Sequence, residues 1–399
     1  MSGHITPRGP GRWAIVLELG RDPTTGKRRQ KWIAFKGTKR EAQQRLAELL
    51  HEMNAGTYVE PVKLTLGAFL ERWLEDYARG AVRPTTFETY RILIQRQIVP
   101  ALGHKILTDL RPLDLQRFYI SKLQGGRADG KLGGLSPKTI RHLHRLLREA
   151  LGHAVKWQLL ARNVAEAVEP PRQVKHEMQV LDPGAVQAFL EAARQDRLYA
   201  LYLLDLTTGL RRGELLALRW QDVDLDEGWL VIRQTVVVVR GRPVIQPEAK
   251  TRSGTRGVSL PATTVEALRA HRAQQDLERA AYEPDYQDND LVFCQPDGRL
   301  LHPRNFTRRH FKPLLRRAGL PEDLRFHDLR HTHATMLLGA GVNIKLVSDR
   351  LGHADIRTTA NTYFHVLRPM RDEVAATVEK IISGIEGEQK ESKTSPESK

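Results

Sequence analysis

The sequence predicts a multidomain chain with a small α+β domain, an all-α bundle and a mainly helical α+β domain that contains a small antiparallel sheet. Its 399 residues suffice for two or three hydrophobic cores. Strand-like runs rich in β-branched and aromatic residues occur near the start and again at 229–246, whereas helical periodicity dominates elsewhere. Segments rich in proline, glycine and charge interrupt these patterns at 56–63 and 169–177. The predicted domains are 1–58, 64–168 and 178–384, followed by a disordered tail at 385–399.

The first domain is predicted to be a small sheet backed by one helix. Two strands, 11–20 and 27–37, are joined by a segment that contains the turn formers Asp, Pro and Gly. Thr38 and Glu41 form a capping box that begins the helix. Basic and aromatic side chains are interleaved along the strands; such a sheet can lie in a DNA groove, and the same pattern fits a solvated basic face. The candidate DNA-binding residues of this domain are Arg12, Lys27, Arg28, Arg29 and Lys31.

The second domain is predicted to be a bundle of four or five helices without strands. Capping residues and prolines in the first turn mark the helix starts at Thr65, Pro84, Pro112 and Ser136. Basic residues form a stripe along the last of these helices, which fits either contact with DNA phosphates or a solvated face. The candidate DNA-binding residues are Lys138, Arg141 and Arg145.

In the third domain, the motif LTTGLRRGELLALRW combines an apolar surface, a glycine turn and crowded charges at a helix start. Glu214 can hold the donors of Arg211 in place, although most Arg–Glu neighbours are ordinary surface ion pairs. One long strand at 229–240 is predicted next, with a turn at 241–243. Lys250 lies in the polar loop that follows, where its ammonium group can protonate a leaving oxygen if the loop closes over a phosphate.

Further along the chain, His327 and Arg330 in HDLR are predicted to lie on one face of a helix that glycines end. Asn343 can begin a second helix, and His353 stands just past its end. A polar segment then leads to Tyr363. A guanidinium binds two phosphate oxygens, imidazoles move protons near neutral pH, and a phenol can attack once its proton is accepted. Each residue taken singly is more often structural; their combination predicts phosphoryl-transfer chemistry.

An alternative interpretation of the same helix is a metal site. His327 and His331 have the i, i+4 spacing of a zinc-binding helix, with Asp328 where HExxH has glutamate. Aspartate has the shorter side chain, and Arg330 places a fixed positive charge beside the two histidines. The sequence therefore predicts no metal and no cofactor.

Taken in order, TGLRRGE, EAKT, HDLRH with LGH, and NTYFH resemble the motifs of the tyrosine recombinase (phage integrase) family across the third domain. By that resemblance the active-site residues are Arg211, Lys250, His327, Arg330, His353 and the nucleophile Tyr363, with Glu214 in a supporting position. His331, His333 and His365 match no catalytic position, and we expect them to be structural or to face DNA.

The resemblance also implies a mechanism. The two arginines and His353 would bind the oxygens of a scissile phosphodiester, and Tyr363 would attack to give a 3′-phosphotyrosyl enzyme and a free 5′-hydroxyl. His327 would assist proton movements, and Lys250 would protonate the leaving oxygen. The first two domains would be arm-type and core-binding DNA-binding domains. The implied partners are double-stranded attachment-site DNA with core and arm sequences, a homotetramer on paired sites and an accessory DNA-bending protein.

Composition agrees with a DNA partner. The formal net charge is +16, so a polyanion is the expected ligand. No apolar run approaches the ~18 residues of a membrane span, the start of the chain lacks the apolar core of a signal peptide, and a lone cysteine, Cys294, fits a reducing cytoplasm. Two other classes stay open at this point: a type IB topoisomerase, which shares the chemistry, and a non-catalytic DNA-binding regulator. The resemblance favours a site-specific recombinase that integrates or excises a mobile element.

Overall fold

The structure is a computed structural model that divides into two compact units, Met1–Lys175 and His176–Lys399. It describes residues 2–21, 26–54, 63–125, 127, 130, 132–173, 178–247, 255–367, 378–379 and 381–383. The predicted tail 385–399 and the Lys250 loop lie outside the described residues. None of the helices in the described part is long and apolar enough to cross a membrane.

The first unit begins with a three-stranded antiparallel sheet and one helix. The strands are β1 (Gly3–Gly9), β2 (Arg12–Arg21) and β3 (Arg28–Lys36), in the order β1-β2-β3, and the helix is α1 (Lys39–Asn54). The capping box at the start of α1 is confirmed: the backbone N–H of Thr38 donates to a Glu41 carboxylate oxygen at 2.7 Å, and the N–H of Glu41 donates to the Thr38 hydroxyl at 3.3 Å. The prediction of two strands was incomplete, because β1 contains proline and glycine and gives a weak strand pattern.

The pairing register decides which side chains of this sheet face the helix. Ile15 pairs with Ile33, and both pack in a core with Leu49 of α1. Because side chains alternate along a strand, Arg29 and Lys31 share the helix-facing side with Ile33, whereas Arg12 and Arg28 lie on the open side. The predicted set of basic residues therefore does not form one surface.

The second part of the first unit is the predicted helical bundle. Its main helices are α2 (Leu66–Trp73), α3 (Pro84–Leu93), α4 (Pro112–Gln124) and α5 (Pro137–Lys156), with π-helical turns at Leu74–Ala78 and Ile94–Ile98 and short helical segments at Arg79–Ala81, Val99–Leu102, Leu107–Asp109 and Val164–Ala167. The predicted starts are confirmed, since the side chains of Thr65 and Ser136 accept hydrogen bonds from backbone N–H groups in the first turn. Trp73 is fully buried at the centre of the bundle core and donates from Nε1 to His153 Nδ1 at 3.1 Å.

The second unit is mainly helical and has two small sheets. Its helices are α6 (Pro183–Ala193), α7 (Tyr199–Thr208), α8 (Arg212–Ala217), α9 (Ala262–Ala281), α10 (Pro303–Phe306), α11 (Lys312–Arg317), α12 (Phe326–Gly339), α13 (Ile344–Leu351) and α14 (Ile356–Leu367), with a 3-10 turn at Trp220–Asp222 and a π-helical turn at Thr307–Phe311. Its strands are β4 (Val223–Asp224), β5 (Trp229–Ile232), β6 (Gln234–Val239), β7 (Arg242–Pro247) and β8 (Arg256–Ser259). Helices α7, α8 and α12 enclose a core that includes Leu201, Leu215 and Leu329. The predicted fold class is confirmed.

The prediction of one long strand at 229–240 was wrong. The chain leaves one sheet at Arg233: β5 pairs with β4 and β8, whereas β6 forms a separate hairpin with β7. Arg233 is held between the strands by an ion pair with Asp222 at 3.0 Å. The hairpin turn consists of Arg240 and Gly241, both at positive φ, rather than 241–243. The segments on both sides of Arg233 are rich in β-branched residues, so the sequence pattern predicts one continuous strand and does not indicate the break.

One buried carboxyl group of α7 has no hydrogen-bonding partner among the described residues. Both side-chain oxygens of Asp205 are unpaired, and the residue is fully buried. Burial raises the pKa of Asp205 well above its ordinary value, with the charge of Arg330 opposing the shift. Burial without a hydrogen-bonding partner therefore favours the neutral form of this carboxyl group.

This burial predicts a pH-dependent stability difference for Asp205→Asn. The raised folded-state pKa contributes stability that is fully present below the ordinary pKa of aspartate, and the wild-type chain loses it as the pH rises toward the folded-state pKa. The difference between the free energy of unfolding of Asp205→Asn and that of the wild type should therefore become more positive from pH 5 to pH 7. Urea unfolding at each pH measures it. The exposed control Asp226→Asn should keep the wild-type dependence. Parallel curves for wild type and Asp205→Asn would contradict the assignment of a neutral carboxyl.

Candidate active site

Helix α12 begins with a fixed carboxylate. Asp328 accepts hydrogen bonds from the Arg325 backbone N–H at 2.7 Å and from its guanidinium at 2.8 and 3.1 Å. This fixes the helix start, so that Arg330 in the next turn is buried, whereas His327 in the first turn is partly open to solvent. The same contacts occupy the carboxylate that a metal at His327 and His331 would need. In the part of the chain that the structure describes, no three His, Cys, Asp or Glu side chains are grouped as metal ligands.

Arg330 is held by the carboxyl ends of two helices. Its side chain is 2% exposed, and its two terminal nitrogens donate to the backbone oxygens of Gly209 and Leu351, each at 2.6 Å. Gly209 and Gly352 end α7 and α13 in the left-handed conformation, which leaves these carbonyls directed at the guanidinium. Burial lowers the pKa of Arg330 to about 10, so the guanidinium stays charged at neutral pH.

Arg211 lies at the start of α8 and reaches the same place. One terminal nitrogen donates to Glu214 at 2.6 Å and the other to the Gly352 backbone oxygen at 2.9 Å. The Arg211 side chain is 39% exposed, whereas that of Glu214 is 1% exposed. Glu214 therefore holds one edge of a guanidinium whose remaining surface is open to a ligand, which is the contact expected from the sequence.

A second arginine, which the sequence did not single out, shares Glu214. Arg256 of β8 donates to the two Glu214 carboxylate oxygens at 3.2 and 2.9 Å and to the Arg350 backbone oxygen at 2.9 Å. Burial alone would raise the pKa of Glu214, but the charges of Arg256 and Arg211 hold it below its usual range. One ionised carboxylate thus fixes two guanidiniums, and β8 is tied to the segment that carries His353.

The two predicted active-site histidines are uncharged at neutral pH. Burial lowers the pKa of His327 to about 4, with the neighbouring His331 and Arg330 adding to the shift. Burial, Arg330 and Arg211 lower the pKa of His353 to about 4 as well. His353 is oriented by a contact of 2.7 Å between its Nδ1 and the Thr359 hydroxyl. Neutral rings offer both an N–H donor and a lone pair.

Tyr363 lies inside α14 at a kink, with φ −109° and ψ 18°. It is 1% exposed, and its hydroxyl lies 2.9 Å from His331 Nδ1. Burial raises the pKa of Tyr363 to about 12, and the charge of Arg330 opposes this shift. His331, for which the sequence predicted a structural or DNA-facing position, thus contacts the hydroxyl of the predicted nucleophile.

The structure brings most predicted active-site residues together. Arg211 and Arg330 donate to adjacent carbonyls immediately before His353, and Arg330 is close enough to His327 and Tyr363 to affect their pKa values. Lys250 lies outside the described residues, as does the side chain of His365. His333 is structural, since its Nδ1 lies 2.8 Å from the Leu206 backbone oxygen and its Nε2 receives a hydrogen bond from Arg350.

The predicted DNA-binding residues differ in their surroundings. Arg28 forms a bidentate ion pair with Glu18 at 2.7 and 2.9 Å, which the sequence did not indicate. Lys138, Arg141 and Arg145 are exposed along α5, as expected. Beside them, the bundle has a groove of about 820 Å³, lined by apolar side chains, by two glutamates and by basic side chains that include His142, Arg145, Arg148 and Lys156.

A buried phenol beside two arginines and imidazoles has the groups that phosphoryl transfer through tyrosine requires. Residues 5–53 match the Arm DNA-binding domain model, 65–124 the N-terminal SAM-like domain of phage integrases, and 179–370 the phage integrase family. A XerC-like tyrosine recombinase of Caldanaerobacter subterraneus subsp. tengcongensis is 30% identical over 94% of this chain and 97% of its own. An integrase of Streptomyces ambofaciens is 29% identical over 90% of both chains. The chain belongs to the phage integrase family and is a tyrosine recombinase.

Solved structures agree on the fold. One is the integrase of the transposon Tn1549, solved with a circular-intermediate DNA. The match spans 78% of this chain and 99% of the solved chain, with a TM-score of 0.64 and 22% identity. Another is a lambda integrase dimer bound to a core site. The match spans 90% of this chain and 93% of the solved chain, with a TM-score of 0.53 and 18% identity. At these identities the likeness concerns the fold.

The shared carboxylate predicts a large stability difference between two arginine substitutions. The Arg256–Glu214 pair has side chains 7% and 1% exposed, whereas those of Arg269 and Asp226 are 54% and 89% exposed. Arg256→Met removes one partner of a buried charge and should lower the free energy of unfolding by about 3 kcal/mol, the lower part of the usual range because Arg211 remains. The control Arg269→Met should cost at most about 1 kcal/mol. Equal losses in urea unfolding would contradict a structural role for the Glu214 pair.

Proposed function

We propose that this chain is a site-specific DNA recombinase that integrates or excises a mobile element by cutting and rejoining strands through a 3′-phosphotyrosyl intermediate. The observation that carries the proposal is the arrangement of Arg211, Arg330 and His353 around adjacent helix ends, with Tyr363 buried beside Arg330. Relatives of similar length are named integrases, which supports a mobile element as the substrate.

The proposed binding step uses charge that the protein leaves uncompensated. Arg330 donates only to carbonyls among the described residues, and Arg211 shares a single carboxylate with Arg256. A scissile phosphodiester therefore supplies the missing negative charge, with its two non-bridging oxygens bound by Arg211, Arg330 and His353. The charge that develops on these oxygens in the transition state meets donors already fixed in position.

The proposed chemical step is an in-line displacement by Tyr363. Its oxygen forms a bond to phosphorus while the bond from phosphorus to the 5′-oxygen breaks, and Lys250 gives the leaving oxygen a proton. Because the phosphotyrosyl ester conserves the energy of the broken bond, a 5′-hydroxyl from another strand can reseal it. His327 assists in these proton movements beside Arg330.

The proposed DNA contacts outside the active site lie in the first unit. In the sheet, Arg12 on the open side and Trp32, which is 49% exposed beneath the Arg8 guanidinium, form a basic and aromatic surface suited to arm-site DNA. In the bundle, Lys138, Arg141 and the groove next to Arg145 are suited to core-site phosphates. The proposed active assembly is a homotetramer on paired sites in the cytoplasm, with an accessory DNA-bending protein.

A nicked suicide substrate tests the strand-transfer proposal. Wild-type chain should form an adduct with the DNA that survives denaturation in SDS, in the presence of EDTA as well as in its absence. Tyr363→Phe should bind the DNA with unchanged affinity and form no adduct, because it lacks only the attacking oxygen. The exposed tyrosine control Tyr282→Phe should form the adduct at the wild-type rate. A DNA-binding regulator would give no adduct with any variant, and a metal-dependent hydrolase would tolerate Tyr363→Phe and stop in EDTA.

Salt titration tests the extended phosphate contacts separately from the chemistry. If ~6–10 phosphates are bound, affinity for a core-and-arm duplex should fall by roughly 10³–10⁵ between 50 and 200 mM salt. Tyr363→Phe should show the same slope, measured by fluorescence anisotropy. The double variant Arg141→Ala/Arg145→Ala should have a shallower slope by about 2. A flat profile for the wild-type chain would contradict binding along the DNA backbone.

A further inference from the structure

The hydroxyl of Tyr363 has a basic partner that family motifs do not assign. His331 Nδ1 lies 2.9 Å from the Tyr363 oxygen, and the two rings meet edge to face with centroids 5.8 Å apart. His327 contacts the His331 ring instead, at a centroid distance of 4.8 Å, and no hydrogen bond joins it to Tyr363 among the described contacts. A proton leaving the tyrosine therefore reaches His331 first.

The surroundings of this pair make a base necessary. Burial raises the pKa of Tyr363 to about 12, so very little phenolate exists at neutral pH. Burial lowers the pKa of His331, which favours the neutral ring, in which one nitrogen carries a lone pair. With the ring proton on Nε2, Nδ1 accepts the tyrosine hydrogen bond, and the two atoms are within the distance of direct proton transfer.

We propose that His331 is the general base that accepts the proton of Tyr363 during strand cleavage, a role that rests on the strand-transfer function proposed above. As the tyrosine O–H bond breaks, its proton moves to Nδ1, its oxygen bonds to phosphorus, and the 5′-oxygen leaves with a proton from Lys250. In resealing, the imidazolium returns its proton to the tyrosine oxygen. No further co-reactant is needed, because every proton is passed between named groups.

The charge that develops on His331 is compensated locally. The titratable groups that affect or contact His331 are Asp328, Arg325, Arg330 and His327 on its own helix, Tyr363 on α14 and His353 after α13. Asp328 is the one carboxylate among them and raises the pKa of His331, which favours the protonated ring. The phosphodiester would add negative charge on the other side. His331 is thus neutral before cleavage and can hold a proton during it.

A substitution series separates proton acceptance from positioning. In His331→Asn the side-chain oxygen lies near the position of Nδ1, so the hydrogen bond to Tyr363 is kept while proton acceptance is lost. We expect both His331→Asn and His331→Ala to form the suicide-substrate adduct about 10²–10⁴-fold more slowly in single-turnover experiments. DNA affinity and the thermal midpoint should change little. A wild-type rate for His331→Asn would overturn the proposal and leave His331 with a positioning role.

Added imidazole gives a second, independent readout. It should raise the cleavage rate of His331→Ala, and the effect should grow with pH as the added imidazole loses its proton. It should have no effect on His302→Asn, a control at a half-buried histidine of the same unit, where asparagine can still cap α10. Lack of any acceleration of His331→Ala by imidazole or other small bases would count against a base at this position.

A fluorinated tyrosine at position 363 keeps the test valid even if the histidine variants are destabilised. When the hydroxyl of residue 363 ionises near neutral pH, a base is no longer required. For each kind of residue 363, the cleavage rate with His331 is divided by the cleavage rate with His331→Ala. This ratio should be at least tenfold smaller with the fluorinated tyrosine than with ordinary tyrosine. An unchanged ratio would mean that His331 acts only on structure. If the wild-type chain itself forms no adduct, the strand-transfer proposal fails, whereas an active wild type with an equally active His331→Asn refutes only the base.

Discussion

The active site depends on holding several positive charges together with very little negative charge. Arg211 and Arg256 pair with one ionised carboxylate, Glu214, whose charge also acts on the nearby Arg330. Like charges repel in a low-dielectric interior, so the structure compensates with dipoles: carbonyls at the carboxyl ends of α7 and α13 accept from Arg330. Dipoles hold the guanidiniums in place without neutralising them, and that is the property an anion-binding site requires.

The left-handed glycines at these helix ends make the arrangement possible. At Gly209, a Cβ atom would lie 2.7 Å from the His333 ring, and at Gly352 it would lie 2.6 Å from an Arg256 nitrogen. Both residues also have positive φ, which favours glycine. The motifs TGLR and LGH therefore depend on the backbone conformation of their glycines as well as on their side chains. Each motif places a backbone carbonyl and a candidate catalytic residue at a helix end. This explains why residues far apart in the sequence converge on one site.

The sequence predicted the parts of this site that depend on local geometry. Helix starts, the Glu214–Arg211 contact and the position of His353 after a glycine follow from spacing within a turn or two, and the structure has each of them. Arg256 was missed because it meets Glu214 across 42 positions, and no local pattern encodes that pairing. His331 was missed for the same reason, since its partner depends on how α14 packs against α12. The break at Arg233 was missed because both flanking strands share one composition.

Without DNA, electrostatics favours the uncharged forms of the histidines and the tyrosine in the site. Burial and then neighbouring positive or imidazole groups lower the pKa of His327 and His353 to about 4, and burial raises the pKa of Tyr363 to about 12. A phosphodiester brings a negative charge to the same place. That charge would offset the arginines and raise the proton affinity of the imidazoles. In the proposed reaction, substrate binding and activation of Tyr363 would then be one electrostatic event.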